Sequence, residues 1–323
     1  MTKMFSLLSL ILFAVVPYTA LAQYPNKSIR LIVPYPAGAS STDIMGRLMA
    51  ERLSAALGQN VVVDNRPGGG GTVGSKMVAK SAPDGYTLLI GVNGPLAIGP
   101  HVYDNIGFDP VKDLAPISMV SFSPFILVAH PSLAAGNMKE LIALAKSKPG
   151  SLHYASAGIG STPHLAGELL KNLAGIELVH VPYKGGSPAM IALLGAEVPM
   201  YFTGVTAAGQ YVRTGKLRAL GMAGLKRSAL MPEIPTISEQ GVREFDVTGW
   251  NALMAPAHTP GPIVRRLYEE TARVLNTPET KNFILGTGAE PVTMDPVQFG
   301  AYLRAELAKW EKVVKLAGGF RAE

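Results

Sequence analysis

No cysteine occurs anywhere in this chain of 323 residues. Structural disulfides, thiol nucleophiles and thiolate-held metals are excluded with it. Charge is sparse too, with Asp, Glu, Lys and Arg making up 16% of the residues. No dense Lys/Arg run interleaved with aromatics is present, so a nucleic-acid surface has nothing to rest on. Nor does the GGGG run at 68–71, followed by Thr72 and Gly74, lead to the Lys-Ser/Thr pair of a phosphate loop. The GxGxxG fingerprint is missing after the first strand, and Gly158, Gly160 and Ser161 do not make the GxSxG of a hydrolase elbow. His164 and Glu168 share a helix face at i, i+4, but a metal site needs a third ligand and none is evident. No cofactor is indicated.

What is present begins with a basic Lys3, an apolar run from Met4 to Val16, Pro17, and small residues around Ala20-Leu21-Ala22. That order predicts a secretory signal over 1–22, cleaved before Gln23. Thirteen apolar residues fall short of the roughly twenty that cross a bilayer, and no later stretch reaches that length. The expectation is an exported, soluble protein. Hydrophobic residues at 48% suffice for real cores. The formal charge of +6, one unit of it on Lys3, favours anionic partners by long-range attraction, or serves solubility alone.

Short apolar strands alternate with helical periodicities. Ile29 to Val33 reads as a strand, and 44–57 as a helix with Met45, Leu48, Met49, Leu53 and Ala56 on one face. Val61 to Val63 and Tyr86 to Ile90 continue the pattern. It restarts with strand Phe125 to Ala129, a helix opened by Asn137 and Glu140 as a capping-box pair, and strand Leu152 to Ala155. A helix from Pro163 to Leu173, strands Leu178 to Val181 and Val198 to Phe202, and a long helix after Asp295-Pro296 follow. These alternations predict parallel sheets covered by helices, in two doubly wound α/β units. The chain is expected to cross between them near 121–124 and near 246–250. Domain 1 then comprises 23–122 plus 247–323 and domain 2 comprises 123–246, with the paired crossings as a hinge.

In such sheets ligands bind beyond the carboxyl ends of strands. Two loops there stand out, 34–43 (PYPAGASSTD) and 156–164 (SAGIGSTPH). Both are rich in Gly, Ser and Thr and run into a helix N-terminus, whose free N–H groups and partial positive charge suit a carboxylate or phosphate. Ser40, Ser41, Thr42, Ser161 and Thr162 can donate the remaining hydrogen bonds, although any one of them serves equally as a helix cap. Asp43 reads as a cap or as a bond to the loop's own amides. Tyr35, Tyr183 and Trp250 either wall a pocket or belong to the core. His130, His153 and His180 read as structural.

Beyond these patterns, VPYPAG…TD (33–43), NRPGGGGTVG (65–74), APDGYTLL (82–89), PVKDLAPIS (110–118), YASAGIGSTPHLAGELL (154–170), HVPYKG (180–185), GKLRALGMA (215–223), PEIPTISE (232–239) and LMAPAHTP (253–260) occur in one order. Together they resemble the Bug receptors, periplasmic substrate-binding proteins associated with tripartite tricarboxylate transporters. The resemblance spans the whole mature chain. It implies a type II periplasmic-binding-protein fold, periplasmic localisation, and a monomer that closes two domains around a small carboxylate and hands it to membrane subunits. It also implies that one ligand carboxylate lies between the loop Tyr35, Pro36, Ala37, Gly38, Ala39, Ser40, Ser41, Thr42 and the loop Ser156, Ala157, Gly158, Gly160, Ser161, Thr162. Asn93, Tyr183 and Thr203 complete the implied cleft. Family ligands run from citrate-like and dicarboxylic acids to acidic amino acids and aromatic acids. Two departures stand out: the first loop is one residue longer than usual, and Thr203 stands where many relatives carry Asp. The second leans the expectation towards a dicarboxylate or aromatic carboxylate over an amino acid. A sensor that signals to a membrane receptor remains an alternative; a hydrolase lacks a nucleophile–base pair.

Overall fold

A computed structural model describes residues 24–38 and 41–319. The signal segment at 1–22 and the site candidates Ala39 and Ser40 lie outside the described residues. The chain opens with β1 (Ile29–Val33), α1 (Ser41–Leu57), β2 (Val61–Asn65), α2 (Thr72–Ala79), β3 (Thr87–Val92) and the single turn α3 (Gly99–Val102). The IRLIV strand is buried at Ile29, Leu31, Ile32 and Val33, as a continuous apolar run in a doubly covered sheet should be. On α1 the predicted stripe of Met45, Leu48, Met49 and Leu53 is buried against it. Each such side chain withdrawn from water contributes about 1.5–3 kcal/mol.

A 16-residue strand, β4 (Leu114–Ala129), then runs out of the first group of elements and into a second. The second group comprises α4 (Met138–Ser147), β5 (His153–Ser156), α5 (Thr162–Ala174), β6 (Val179–Pro182), α6 (Gly186–Leu194), β7 (Met200–Gly204), α7 (Val205–Arg213) and β8 (Arg218–Met222). The chain returns through β9 (Thr248–Pro256), and finishes with α8 (Gly261–Leu275), α9 (Pro278–Gly286), β10 (Glu290–Met294) and α10 (Pro296–Leu316). Asn137 caps α4, its side chain accepting from Glu140 N–H. Asp295 forms a full capping box with Gln298 at the start of α10.

The sheets are mixed where parallel ones were expected. In the first, β2-β1-β3 are parallel, and β9, β4 and β10 are added antiparallel. In the second, β6-β5-β7 are parallel, while β4 lies antiparallel to both β7 and β8. The reason is connectivity: parallel neighbours need a helical crossover, whereas the two strands that carry the chain between groups run in opposite directions. Along β4 the partner changes within one residue. Pro124 pairs with Thr248 of β9, and Phe125 pairs with Gly204 of β7. The strand expected over Phe125 to Ala129 is therefore only the final third of a longer one.

Helix α10 ties the ends together. Its buried Glu306 accepts hydrogen bonds on one carboxylate oxygen from Trp250 Nε1 and from Trp310 Nε1, each at 3.2 Å. Lys309 pairs with Glu306, and also with Asp246 at 3.3 Å, just before β9. Among the described residues, no helix is long and apolar enough to cross a membrane.

Candidate functional site

The loop after β1 is shaped by Asp43, which is 1% exposed in the first turn of α1. Its carboxylate accepts from Gly38 N–H at 3.0 Å, Arg47 Nε at 2.9 Å and Asn65 Nδ2 at 2.8 Å. The Asn65 amide also donates to the carbonyl of Tyr35 at 2.9 Å. Gly38 has φ 135°, a conformation glycine adopts without strain, and its N–H is spent on Asp43. Burial pushes the Asp43 carboxyl up, but the bonds from Gly38, Asn65 and Arg47 outweigh it and hold the group below the usual carboxylate range. A lowered pKa contributes stability that is present above the unfolded value near 4 and is lost as pH falls through the folded one. Asp43→Ala is therefore expected to cost about 2–3 kcal/mol at neutral pH, by stranding buried donors, and to flatten the acid limb of a Tm-against-pH series. An unchanged acid limb would remove this carboxylate as the loop's anchor.

The second loop, between β5 and α5, turns through Gly158 (φ 122°) and Gly160 (φ 76°). Ser161 closes it, donating from N to the Gly158 carbonyl at 3.2 Å and from Oγ to the same oxygen at 2.6 Å. Ser161 takes the N-cap position of α5 and Thr162 is its first helical residue, the reverse of a Thr162 cap. Behind the loop, fully buried Ser156 accepts from Gly158 N–H at 3.0 Å, and its hydroxyl lies 2.6 Å from His180 Nε2.

The two loops meet across a cleft. Asn93, 8% exposed at the end of β3, donates from Nδ2 to Thr162 Oγ1 at 3.1 Å. On the side of the crossing strands lies a cavity of about 180 Å³, lined by Tyr35, Ser41, Thr42 and Asn93 together with Val92, Ser123, Phe125, Gly249, Trp250 and Asn251. A second cavity, of about 380 Å³, shares Tyr35 and Phe125 with it. Ala157, Gly160, Ser161 and Thr162 form one wall, and Gly70, Ile98, Val102, Tyr103, Ile159 and Pro163 contribute the rest with Gly94 and Gly99. The first turn of α1 reaches the smaller cavity and that of α5 the larger. Among the described residues, no Asp, Glu, Lys, Arg or His lines either cavity. Their polar groups are neutral hydroxyls, amides and backbone.

Of the other candidates, Pro36, Ala37 and Gly38 are exposed outside both cavities. Ser156 and Gly158 stand behind the cavity wall, as supports. Tyr183 packs on the apolar cluster under α6, and burial raises its pKa. Thr203 is buried beside Tyr201, whose hydroxyl it hydrogen-bonds, and does not line the cavities. Tyr35 donates its hydroxyl to the Gly70 carbonyl at 3.1 Å. Its pKa is pushed up to about 12 by burial and by Tyr103, so it stays a neutral donor.

The residues that sequence reading missed come from β4 and β9. Ser123 and Phe125 of β4 line the smaller cavity, as do Gly249 and Asn251 of β9; Asn251 Nδ2 donates to Ser121 Oγ at 3.2 Å. A Cβ on Gly249 would stand 3.0 Å from the Phe125 ring, so glycine here lets the ring lie flat over β9. The other face of the same strands carries Phe122, Pro124 and Thr248, which line a separate cavity of about 240 Å³ with Lys226, Asp246 and Glu290. That cavity has no helix N-terminus and bears charges of both signs.

Comparison with known proteins gives a consistent result. Residues 45–318 match the tripartite tricarboxylate transporter family receptor (TctC) profile. Protein BugT of Bordetella pertussis is 38% identical over 296 residues, covering 91% of this chain and 90% of its own. A Rhodopseudomonas palustris protein solved with adipate superposes with a TM-score of 0.80 at 35% identity, over 91% of this chain and 98% of the other. MatC from the same organism, solved with bound malate, gives 0.75 at 29% identity, over 90% of this chain and 100% of the other.

Proposed function

We propose, from the premise that this chain belongs to the TctC family of tripartite tricarboxylate transporter receptors, that it captures a small carboxylate between the first turns of α1 and α5 and releases it unchanged. The observation that carries this is the neutral, two-walled cavity system bridged by Asn93 and Thr162. Helix N-terminal N–H groups and hydroxyls can hold one carboxylate there without a cation. Residues 23–122 with 247–323 and residues 123–246 are the two bodies that close on it. The change of partner on β4 between Pro124 and Phe125, beside Thr248 of β9, is the hinge. Export to the periplasm as a monomer and delivery to membrane subunits follow from the same reading.

The lining narrows the ligand. A ligand ammonium would meet no carboxylate in either cavity, so an amino acid forfeits an ion pair that it would need on leaving water. The apolar wall of Ile98, Val102, Phe125 and Ile159 favours an acid with a hydrocarbon or aromatic body. The test is mass spectrometry of acids released on unfolding, followed by thermal-shift titration against adipate, malate, benzoate, citrate, aspartate and glutamate. Binding to the native state alone raises stability by about 2.7 kcal/mol at one hundred times Kd, so Tm should climb with the logarithm of one acid's concentration. Adipate or benzoate is expected to give the larger shift. Aspartate or glutamate binding tightest would sink the neutral-lining argument, and no shift with any acid would favour a sensor of some other ligand.

A further inference from the structure

Behind the wall formed by residues 156–162 lies a group of buried polar side chains that the capture reading does not use. His164 of α5 and His180 of β6 stack with ring centroids 4.0 Å apart and planes 22° from parallel. His164 is 6% exposed, and its Nδ1 accepts the Gly160 N–H at 3.1 Å. His180 Nε2 lies 2.6 Å from Ser156 Oγ, which in turn accepts from Gly158 N–H. Both glycines have positive φ, so the two imidazoles hold the two points at which this loop departs from ordinary backbone. Tyr154 of β5 stacks on His180 at 5.2 Å and donates its hydroxyl to Glu168 at 2.8 Å, while Lys171 pairs with Glu168 at 2.9 Å.

We infer that His164 and His180 are positioning residues: through Gly160 and through Ser156–Gly158 they fix the curvature of the ligand-facing loop, and with it the receptor's affinity for its acid. The inference rests on the reading that this loop holds the ligand carboxylate. A nitrogen that accepts an N–H carries no proton, so the Gly160 bond needs His164 neutral. Burial supplies that condition: it pushes His164 down to about 4, against Glu168 and aided by Lys171, and His180 down to about 3, with His164 and Lys171 adding to the shift. The Gly160 N–H is thereby withdrawn from the ligand. Thr162, the first residue of α5, remains to meet it. With Thr162 set one residue from the Ser161 cap, its Oγ1 falls where Asn93 can reach it.

The experiment compares two variants of the mature protein. His164→Phe keeps a ring to stack on His180 but removes the acceptor; His164→Asn restores an acceptor at the Nδ1 position without the ring. Both are titrated with adipate and benzoate, and Gly160 amide hydrogen exchange is measured in the absence of any acid. His164→Phe is expected to raise Kd about tenfold and to speed Gly160 exchange by a similar factor, as loss of one buried hydrogen bond implies. His164→Asn is expected to keep both near the natural values. Equal affinity in all three proteins overturns the inference, as does a loss shared by Phe and Asn with Gly160 exchange unchanged. If the natural protein binds no acid of the panel, the capture reading fails separately, and Gly160 exchange in the two variants still decides whether His164 shapes the loop.

Discussion

Thr162→Asp is expected to leave the protein folded and to abolish capture of the acid. Thr162 is the first helical residue of α5, a helix with no acidic residue in its first turn. An aspartate there complements the helix dipole, worth about 0.3–1 kcal/mol, and still accepts from Asn93. The same carboxylate stands in the wall of the larger cavity, where the ligand's negative end is to lie. Two like charges about 4 Å apart repel by about 4 kcal/mol at the effective dielectric of a protein surface, which raises Kd by on the order of 100-fold or more. Calorimetry with the acid chosen by the panel, beside a melting curve of the free variant, gives both halves of the result. Unaltered affinity would falsify the placement of the ligand carboxylate at α5.

The second large effect concerns the contact of α10 with β9. Glu306→Ala strands the indole N–H of Trp250 and of Trp310 in the core and leaves Lys309 without its nearer partner. Breaking a buried pair in this way costs about 3–5 kcal/mol, so Tm should fall by about 6 °C or more. Glu306→Gln, which keeps an accepting oxygen, should lose much less. Equal losses in the two variants would mean that the ion pair with Lys309, rather than the indoles, carries the stability.

Much of this architecture was legible from residue patterns because local rules coincide with tertiary ones. The IRLIV strand, the Met45–Leu53 stripe, the Asn137 cap and the Asp295 box each bury or cap within a few residues of where they are encoded. The first part of β4 was not legible. Between Leu114 and Pro124 it carries two prolines and three serines among its apolar residues. It pairs through two register shifts, at 116–118 and 119–121, which accommodate Pro116 and break any alternation. Strand direction was equally hidden, since burial on both faces looks alike in parallel and antiparallel company.

The site divides in the same way. Glycine, serine and threonine ahead of a helix announced the walls holding Ser41, Thr42, Ser161 and Thr162. Ser123, Gly249 and Asn251 owe their place to pairing between strands more than a hundred residues apart, which no local motif reports. Tyr183 and Thr203 sit at strand ends near the cleft, yet the cluster under α6 and the Tyr201 hydroxyl occupy them.

The sequence contains two tryptophans, and both donate to the one carboxylate of Glu306, one of them from β9, where the chain returns from the second group of elements to the first. In the proposed closure about β4 and β9, their emission originates beside the pivot. That closure would give the receptor its own optical gauge, and a dye-free titration should read occupancy as a change of colour or brightness in two neighbouring indoles.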